Sequence, residues 1–302
     1  MRSSIVSVAC LVLLARGAYA QDSRAASRPL RAIPKAAAIY YANFRHPSDR
    51  FTNPDGSDAL FQHFAKPELV DYSSGAWHKS ELESMMDAAL DGLFVAWRAP
   101  IVDKTGQVSR STEWTESSLD ALVRAWDEVK AAGGEPPKIA LFVDTAALFR
   151  VGESVRAQEL DGPATRELLR SSLDRFFARV PERARFEAYG GYPVLLDAAF
   201  GIRHDSGILQ SIGDEIAHKL KARLWLIAEE SWRAHSDAKW RRGSALAGPS
   251  GSYELRVLGP GYNDSRVPGS SSPIRSREDG RFYLWSWHQT LLNSPGLVII
   301  ES

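Results

Sequence analysis

The sequence of 302 residues contains one cysteine, Cys10. It lies in an apolar N-terminal segment that we predict is removed, so the mature chain would have no thiol and no disulfide. Cysteine catalysis and a fold held by disulfides are therefore excluded. With 44% hydrophobic residues, a chain of this size can bury a full core without disulfides. This combination is typical of a bacterial periplasmic or secreted enzyme.

An excess of charge of either sign is also missing. The chain has 37 basic and 37 acidic residues, and residues 1–20 account for two of the basic ones and none of the acidic ones. A nearly neutral mature protein lacks the basic patches that nucleic acids and anionic membrane surfaces require. We therefore predict no nucleic-acid partner.

Several catalytic and cofactor motifs are absent. No G-x-S-x-G elbow presents a serine nucleophile, and no glycine-rich phosphate loop follows any predicted strand. The histidines do not have the spacing of zinc ligands. The sequence therefore predicts neither a nucleotide site nor a metal site, and no cofactor.

The N-terminus has the pattern of a secretory signal peptide. Arg2 gives a positive start, residues 5–14 are apolar, and residues 18–20 form an A-x-A cleavage site. The apolar run is too short to span a membrane. We predict a signal peptide over residues 1–20 and a secreted or periplasmic protein. A flexible leader would follow over residues 21–36, and a single domain over 37–302.

The stretch from Tyr192 to Ser231 sets the pattern of this domain. Two short apolar runs, 193–196 and 224–228, each lead directly into carboxylates, and between them isoleucine or leucine recurs every fourth residue from 208 to 220. The pattern predicts strand, helix, strand. Such a crossover joins parallel strands and leaves the acidic residues at one edge of the sheet, where α/β folds bind ligands.

The rest of the chain repeats this alternation. We predict eight strands, over 37–43, 93–97, 139–143, 193–196, 224–228, 244–247, 255–258 and 297–300. Helices or long loops separate seven of them, which predicts a (β/α)8 TIM-like barrel whose eighth helix is missing. A doubly wound open sheet is the alternative.

Polar residues follow most of these strands and would meet at the mouth of a closed barrel. The candidates for binding a substrate are Asp144, Asp197, Glu229, Glu230, Tyr262 and Asp264, with Trp97 and Arg98 lining the pocket. Carboxylates accept hydrogen bonds from hydroxyls, and aromatic rings stack on sugars, so the set favours an oligosaccharide or polysaccharide partner. Adjacent strand residues point to opposite faces, so only one of Glu229 and Glu230 should face the mouth.

Several segments together resemble the glycoside hydrolase family 99-like group, which includes endo-α-mannosidases and a less characterised branch of secreted bacterial proteins. The segments are LFVAWRAP (93–100), RSTEWTESSLDALVRAWDEVK (110–130), PKIALFVDTAAL (137–148), the acid pair 229–230, GSALAGP (243–249), LGPGYND (258–264) and GLVIIES (296–302). The resemblance implies a (β/α)8 barrel that acts on α-linked glycans.

The chain departs from this group at its end. Members carry paired catalytic glutamates in an N-E-x-H-E segment after the last strand, whereas this sequence stops at Glu301-Ser302. The catalytic residues are therefore unknown, and Glu301 is not assigned as the nucleophile. We expect a truncated chain with wet apolar surface at Leu297 or Val298. Two functions remain open, a glycoside hydrolase that lacks its catalytic loop as given, and a non-catalytic carbohydrate-binding or scaffold protein.

Overall fold

The computed structural model describes residues 34–42, 55, 70–98, 110–145, 162–198, 207–263, 265 and 274–301. The predicted signal peptide and all but the end of the predicted leader lie outside these residues. The strands are β1 (Lys35–Tyr40), β2 (Gly92–Trp97), β3 (Lys138–Val143), β4 (Gly191–Leu196), β5 (Arg223–Glu229), β6 (Ala238–Trp240), β7 (Ser250–Gly251), β8 (Leu255–Leu258) and β9 (Leu297–Ile300). The α-helices are α1 (Gly75–Asp87), α2 (Arg110–Ala131), α3 (Pro163–Arg179), α4 (Ile208–Leu220), α5 (Ser244–Ala247) and α6 (Arg281–Leu292).

The nine strands form one curved sheet in the order β6-β5-β4-β3-β2-β1-β9-β8-β7. All hydrogen-bonded neighbours are parallel except β7 and β8. The two ends of the sheet meet, because β6 packs beside β7 and β8. The result is a nearly closed barrel, which confirms the predicted TIM-like fold. A doubly wound sheet would reverse its strand order at a switch point, and this sheet does not.

Side chains alternate between two apolar layers along each strand. On β2, Leu93, Val95 and Trp97 belong to the outer cluster that packs against the helices, whereas Phe94 and Ala96 belong to the inner cluster that fills the barrel. The residues of both layers are almost completely buried, so the strand sequences are continuous runs of apolar residues. A period of two therefore decides which residues reach the barrel interior.

The segment after α3 covers the amino-terminal end of the barrel. Phe186 donates its backbone N–H to Ile139 O at 2.9 Å, and its ring packs edge-on against Phe94, with ring centroids 6.3 Å apart. Nearby, the Tyr189 hydroxyl donates to Glu254 O at 2.6 Å. These contacts close the amino-terminal end of the barrel. A ligand would therefore enter from the opposite, carboxyl-terminal end.

The sixth strand differs from the prediction. Residues 244–247 form the short helix α5, and the strand lies earlier, at Ala238–Trp240. The left-handed backbone of Gly243, with φ of 93°, turns the chain directly into this alanine-containing helix. β6 was missed because only Ala238 and Trp240 in it face the interior, with charged Lys239 between them.

Two further expectations need correction. β1 begins at Lys35, inside the segment predicted to be a flexible leader. The apolar surface expected to be wet near the last strand is also buried. Leu297 faces the barrel interior, and Val298 shares a buried cluster with Tyr283 and Trp287 of α6.

Candidate functional site

A ring of polar residues surrounds the carboxyl-terminal mouth of the barrel. Each member lies two positions beyond an inward-facing apolar residue and so continues the same face of its strand. We define the mouth ring as Tyr41, Arg98, Asp144, Asp197, Glu229, Arg242 and Glu301. The backbone N–H groups of the residues that follow β3, β4 and β9 continue the strand ladders, so these residues lie at one level of the barrel.

Two ion pairs organise the ring. The Arg98 guanidinium donates from Nε to Asp144 Oδ2 at 2.6 Å. The Arg242 guanidinium donates to both oxygens of Asp197, at 3.1 and 3.2 Å. Both carboxylates are largely buried, with Asp144 8% and Asp197 6% exposed. Pairing of this kind is what allows a carboxylate to remain charged so far from water.

Asp197 lies in the combined electrostatic field of the ring. Burial raises the pKa of its carboxyl, while the Arg242 guanidinium and the Ala198 N–H lower it, and the charges of Asp144 and Glu229 raise it again. The net result is a pKa above the ordinary value. The three acids, from three consecutive strands, therefore lie close enough to influence one another.

The acid pair at the end of β5 is divided between two environments. Glu229 is 9% exposed, and its Oε2 accepts the backbone N–H of Ser231 at 2.8 Å. Glu230 is exposed and pairs with Arg241 at 2.7 Å. The expected alternation is thus confirmed, because only Glu229 belongs to the mouth ring.

Two buried aromatic rings, those of Phe142 and Trp240, form the floor below the mouth ring. Phe142 packs edge-on against Tyr41 on one side and against Trp240 on the other, with centroid distances of 6.1 Å in both cases. The Trp240 indole is also fixed by donation to Leu196 O at 2.8 Å. Of these three rings, that of Tyr41 in the mouth ring is the one that is partly exposed.

Trp97 does not line the pocket, contrary to the prediction. It is fully buried, and its indole donates to Ser172 O of α3 at 3.0 Å. The reason is again the period of two, since Arg98 faces inward and its neighbour must face the helices. Tyr262 is 38% exposed and pairs through its backbone with Arg275 in the loop after β8. Asp264 lies outside the described residues.

Sequence reasoning missed Arg242 and Tyr41. The signal for Arg242 was its spacing of two from Trp240, which was invisible while β6 was placed at 244–247. Tyr41 stands two positions after inward-facing Ile39, so the same rule would have found it.

Within the described ranges, no group of three or more histidine, cysteine or acidic side chains is arranged to hold a metal ion. The helices of the same part of the chain include none whose length and hydropathy would allow it to cross a membrane. The predictions of no cofactor and no nucleic-acid partner remain predictions.

Comparison with known proteins gives a fold but no sequence family. No family model and no curated protein matches the chain. Among solved structures, the GH99 endo-α-mannosidase from Bacteroides thetaiotaomicron superposes with a TM-score of 0.61 at 13% identity, covering 88% of this chain and 83% of that one. The same enzyme in complex with bis-tris propane gives a TM-score of 0.57 at 14% identity, with 88% and 82% covered. The chain therefore has a GH99-like barrel fold.

Proposed function

We propose that the mouth ring binds carbohydrate and that the protein is a glycoside-hydrolase-like protein acting on α-linked glycans. The observation that carries the proposal is the ring itself, where two of the buried carboxylates are paired with guanidinium groups above an aromatic floor. Support also comes from the GH99-like fold, because the solved neighbour with this fold is an endo-α-mannosidase.

The chemistry of the mouth ring suits a polyhydroxylated ligand. Asp144 and Asp197 present acceptors for sugar hydroxyls, and Arg98 and Arg242 present donors, all oriented in advance by the two ion pairs. Preorganisation lowers the ordering cost of binding. The partly exposed ring of Tyr41 offers a flat apolar surface of the kind that stacks on a sugar face.

Hydrolysis requires more than binding. A glycosidase needs one carboxylic acid to protonate the leaving oxygen and a second carboxylate to act as base or nucleophile. By resemblance those roles belong to an N-E-x-H-E segment, which these 302 residues do not contain. For the chain as given we therefore propose binding, with hydrolysis in a form that carries the segment. The second candidate is a non-catalytic carbohydrate-binding protein, which requires only the mouth ring.

The test is calorimetric titration of mature protein, beginning after residue 20, with manno-oligosaccharides. We expect saturable binding that Asp144→Ala weakens by about tenfold or more, because the change removes an acceptor and leaves Arg98 without its partner. Glu230→Gln is the matched control, since Glu230 lies outside the mouth ring, and its affinity should equal that of the wild type. Unchanged affinity in Asp144→Ala would remove the mouth ring from the proposal.

A second measurement separates the two candidates. Release of new reducing ends from an α-linked mannan supports the hydrolase, whereas binding without release supports the carbohydrate-binding protein.

Export is a proposal of its own, and the expected outcome is a mature N-terminus at Gln21 in protein recovered from the periplasm or medium. An intact N-terminus in the cytoplasm would contradict it.

A further inference from the structure

The barrel has a seam at which two strands meet without a hydrogen-bonded ladder. The sheet order begins at β6 and ends at β7, and β6 packs beside β7 and β8. A strand edge without a partner must be held by other contacts. At the mouth, that contact is made by the side chain of Glu301, which follows β9.

Glu301 binds the turn between β6 and α5. Its Oε1 accepts the N–H of Gly243 at 2.8 Å, and its Oε2 accepts the same N–H at 2.9 Å and the N–H of Ser244 at 2.6 Å. The Glu301 backbone is fixed in turn, because its N–H donates to Leu258 O at 2.8 Å. Hydrogen bonds from backbone N–H groups to an ionised carboxylate are among the stronger ones in proteins.

The turn that Glu301 holds carries Arg242. Arg242 is the residue immediately before Gly243, and its guanidinium spans the mouth to Asp197 after β4. The Arg242 side chain is 46% exposed, so packing alone does not fix it. Its position depends on where the turn places its backbone, and the turn has no ladder to hold it among the described strands.

From these contacts we propose that Glu301 is a positioning residue for the proposed carbohydrate site. Its carboxylate locks the 242–244 turn across the barrel seam, and the locked turn holds Arg242 against Asp197. Glu301 acts through Arg242 rather than by touching the ligand. The proposal rests on the proposed function for its biological meaning, but the link from Glu301 to Asp197 can be measured without any ligand.

The direct test is the titration of Asp197 by carbon NMR in protein labelled at aspartate carboxyl carbons, with Asp197→Asn to assign the signal. Glu301→Gln replaces the carboxylate by an amide with a single, uncharged acceptor oxygen, so the hold on the turn and on Arg242 weakens. The charge that lowers the Asp197 pKa then moves away, and that pKa should rise above its wild-type value. Arg242→Gln should raise it by at least as much. The double variant should add nothing to Arg242→Gln alone, because both changes remove one interaction.

Control and rescue variants separate positioning from general stability. Glu254→Gln makes the same change near the opposite end of the barrel, where the carboxylate accepts a bond from Ser252, and should leave Asp197 unaltered. Glu301→Asp keeps the charge and should restore part of the wild-type pKa. If Glu301→Gln does not fold, amide hydrogen exchange in the wild type still tests the proposal. The backbone N–H groups of Gly243 and Ser244 should be protected from exchange.

Three results would overturn the proposal. They are an Asp197 pKa in Glu301→Gln equal to that of the wild type, additive effects in the double variant, or unprotected amides at 243 and 244. If manno-oligosaccharides bind, Glu301→Gln should raise the dissociation constant about tenfold. If they do not bind the wild type, the proposed function fails, while the Asp197 titration still tests the positioning role.

Discussion

The buried histidine on α1 gives a quantitative prediction about stability. His78 is fully buried behind β1, where its Nδ1 accepts the Tyr40 hydroxyl at 2.9 Å and its Nε2–H donates to Tyr72 O at 2.8 Å. Both ring nitrogens are satisfied in the neutral form. Burial lowers the pKa of His78 from 6.5 to about 4, against smaller opposing contributions from Tyr72 O and Asp71.

Glu81 lies one turn further along the same helix and is shifted in the opposite direction. Burial raises the pKa of its carboxyl from 4.5 to about 7. The unfolded chain binds more protons than the folded one at His78 between pH 4 and 6.5, so this group favours folding less as the pH falls. At Glu81 the folded chain binds more protons between pH 4.5 and 7, so this group favours folding less as the pH rises.

The two contributions are similar in size and opposite in sign. A pKa shift of one unit corresponds to about 1.4 kcal/mol, so each group changes the free energy of unfolding by about 3 kcal/mol across its window. In the wild type these slopes cancel between about pH 4.5 and 6.5. In Glu81→Gln only His78 of the two groups still titrates. The free energy of unfolding should therefore rise with pH by up to about 1.4 kcal/mol per pH unit relative to wild type. His78→Gln should show the reverse slope.

Urea unfolding monitored by circular dichroism at half-unit steps of pH measures these slopes. Only differences from the wild type are compared, so the titration of other carboxylates cancels. Glu83→Gln is the control, because Glu83 is exposed on the same helix and should leave the wild-type profile unchanged. Parallel profiles for Glu81→Gln and wild type would refute the reasoning that burial controls these two groups.

Three further predictions concern packing. Gly259→Ala places a Cβ 2.5 Å from Ala245 and from Glu301 O, so we expect a loss of about 1–3 kcal/mol in urea unfolding. Gly75→Ala, where a Cβ meets nothing within 4 Å, should cost nothing at the start of α1; an equal loss in both would contradict the close approach at Gly259. Trp97→Phe should destabilise by about 1–3 kcal/mol through the lost indole hydrogen bond to Ser172 O and the lost volume, yet leave oligosaccharide affinity unchanged. A selective loss of affinity there would return Trp97 to the site.

The strands and helices that the sequence predicts correctly are those with strong local signals. On β4 and β5 the apolar runs end at Asp197 and Glu229, and a parallel crossover leaves only one edge of the sheet for both acids. Length and hydrophobicity are enough for that inference, because burial on both faces of a parallel sheet leaves little choice of residue. The convergence of the acids therefore follows from local sequence and chain topology.

The parts that were missed depend on tertiary contacts. β6 has three residues, and its hydrogen-bonded ladder with β5 is what makes it a strand, so no local periodicity marks it. Trp97 was assigned to the pocket because aromatic residues can bind sugars, but the side on which it lies is decided by the register of β2. The local sequence does not show on which face of the strand a tryptophan lies. The face is known only once one inward-facing residue of the strand has been identified and the period of two is counted from it.

The same rule places both acids and cations at the mouth. Inward-facing positions below the mouth are apolar because they have no access to water. On each strand, the next inward-facing position lies at the mouth and is the first that can be polar. Four acids at that level would repel one another, and burial would favour their neutral forms. Arg98 and Arg242 compensate for two of the acids, and the backbone N–H groups of the 242–244 turn compensate for Glu301. The charge state of the site therefore depends on the closure of the barrel at its seam, and that closure is a tertiary property that the strand ends alone do not encode.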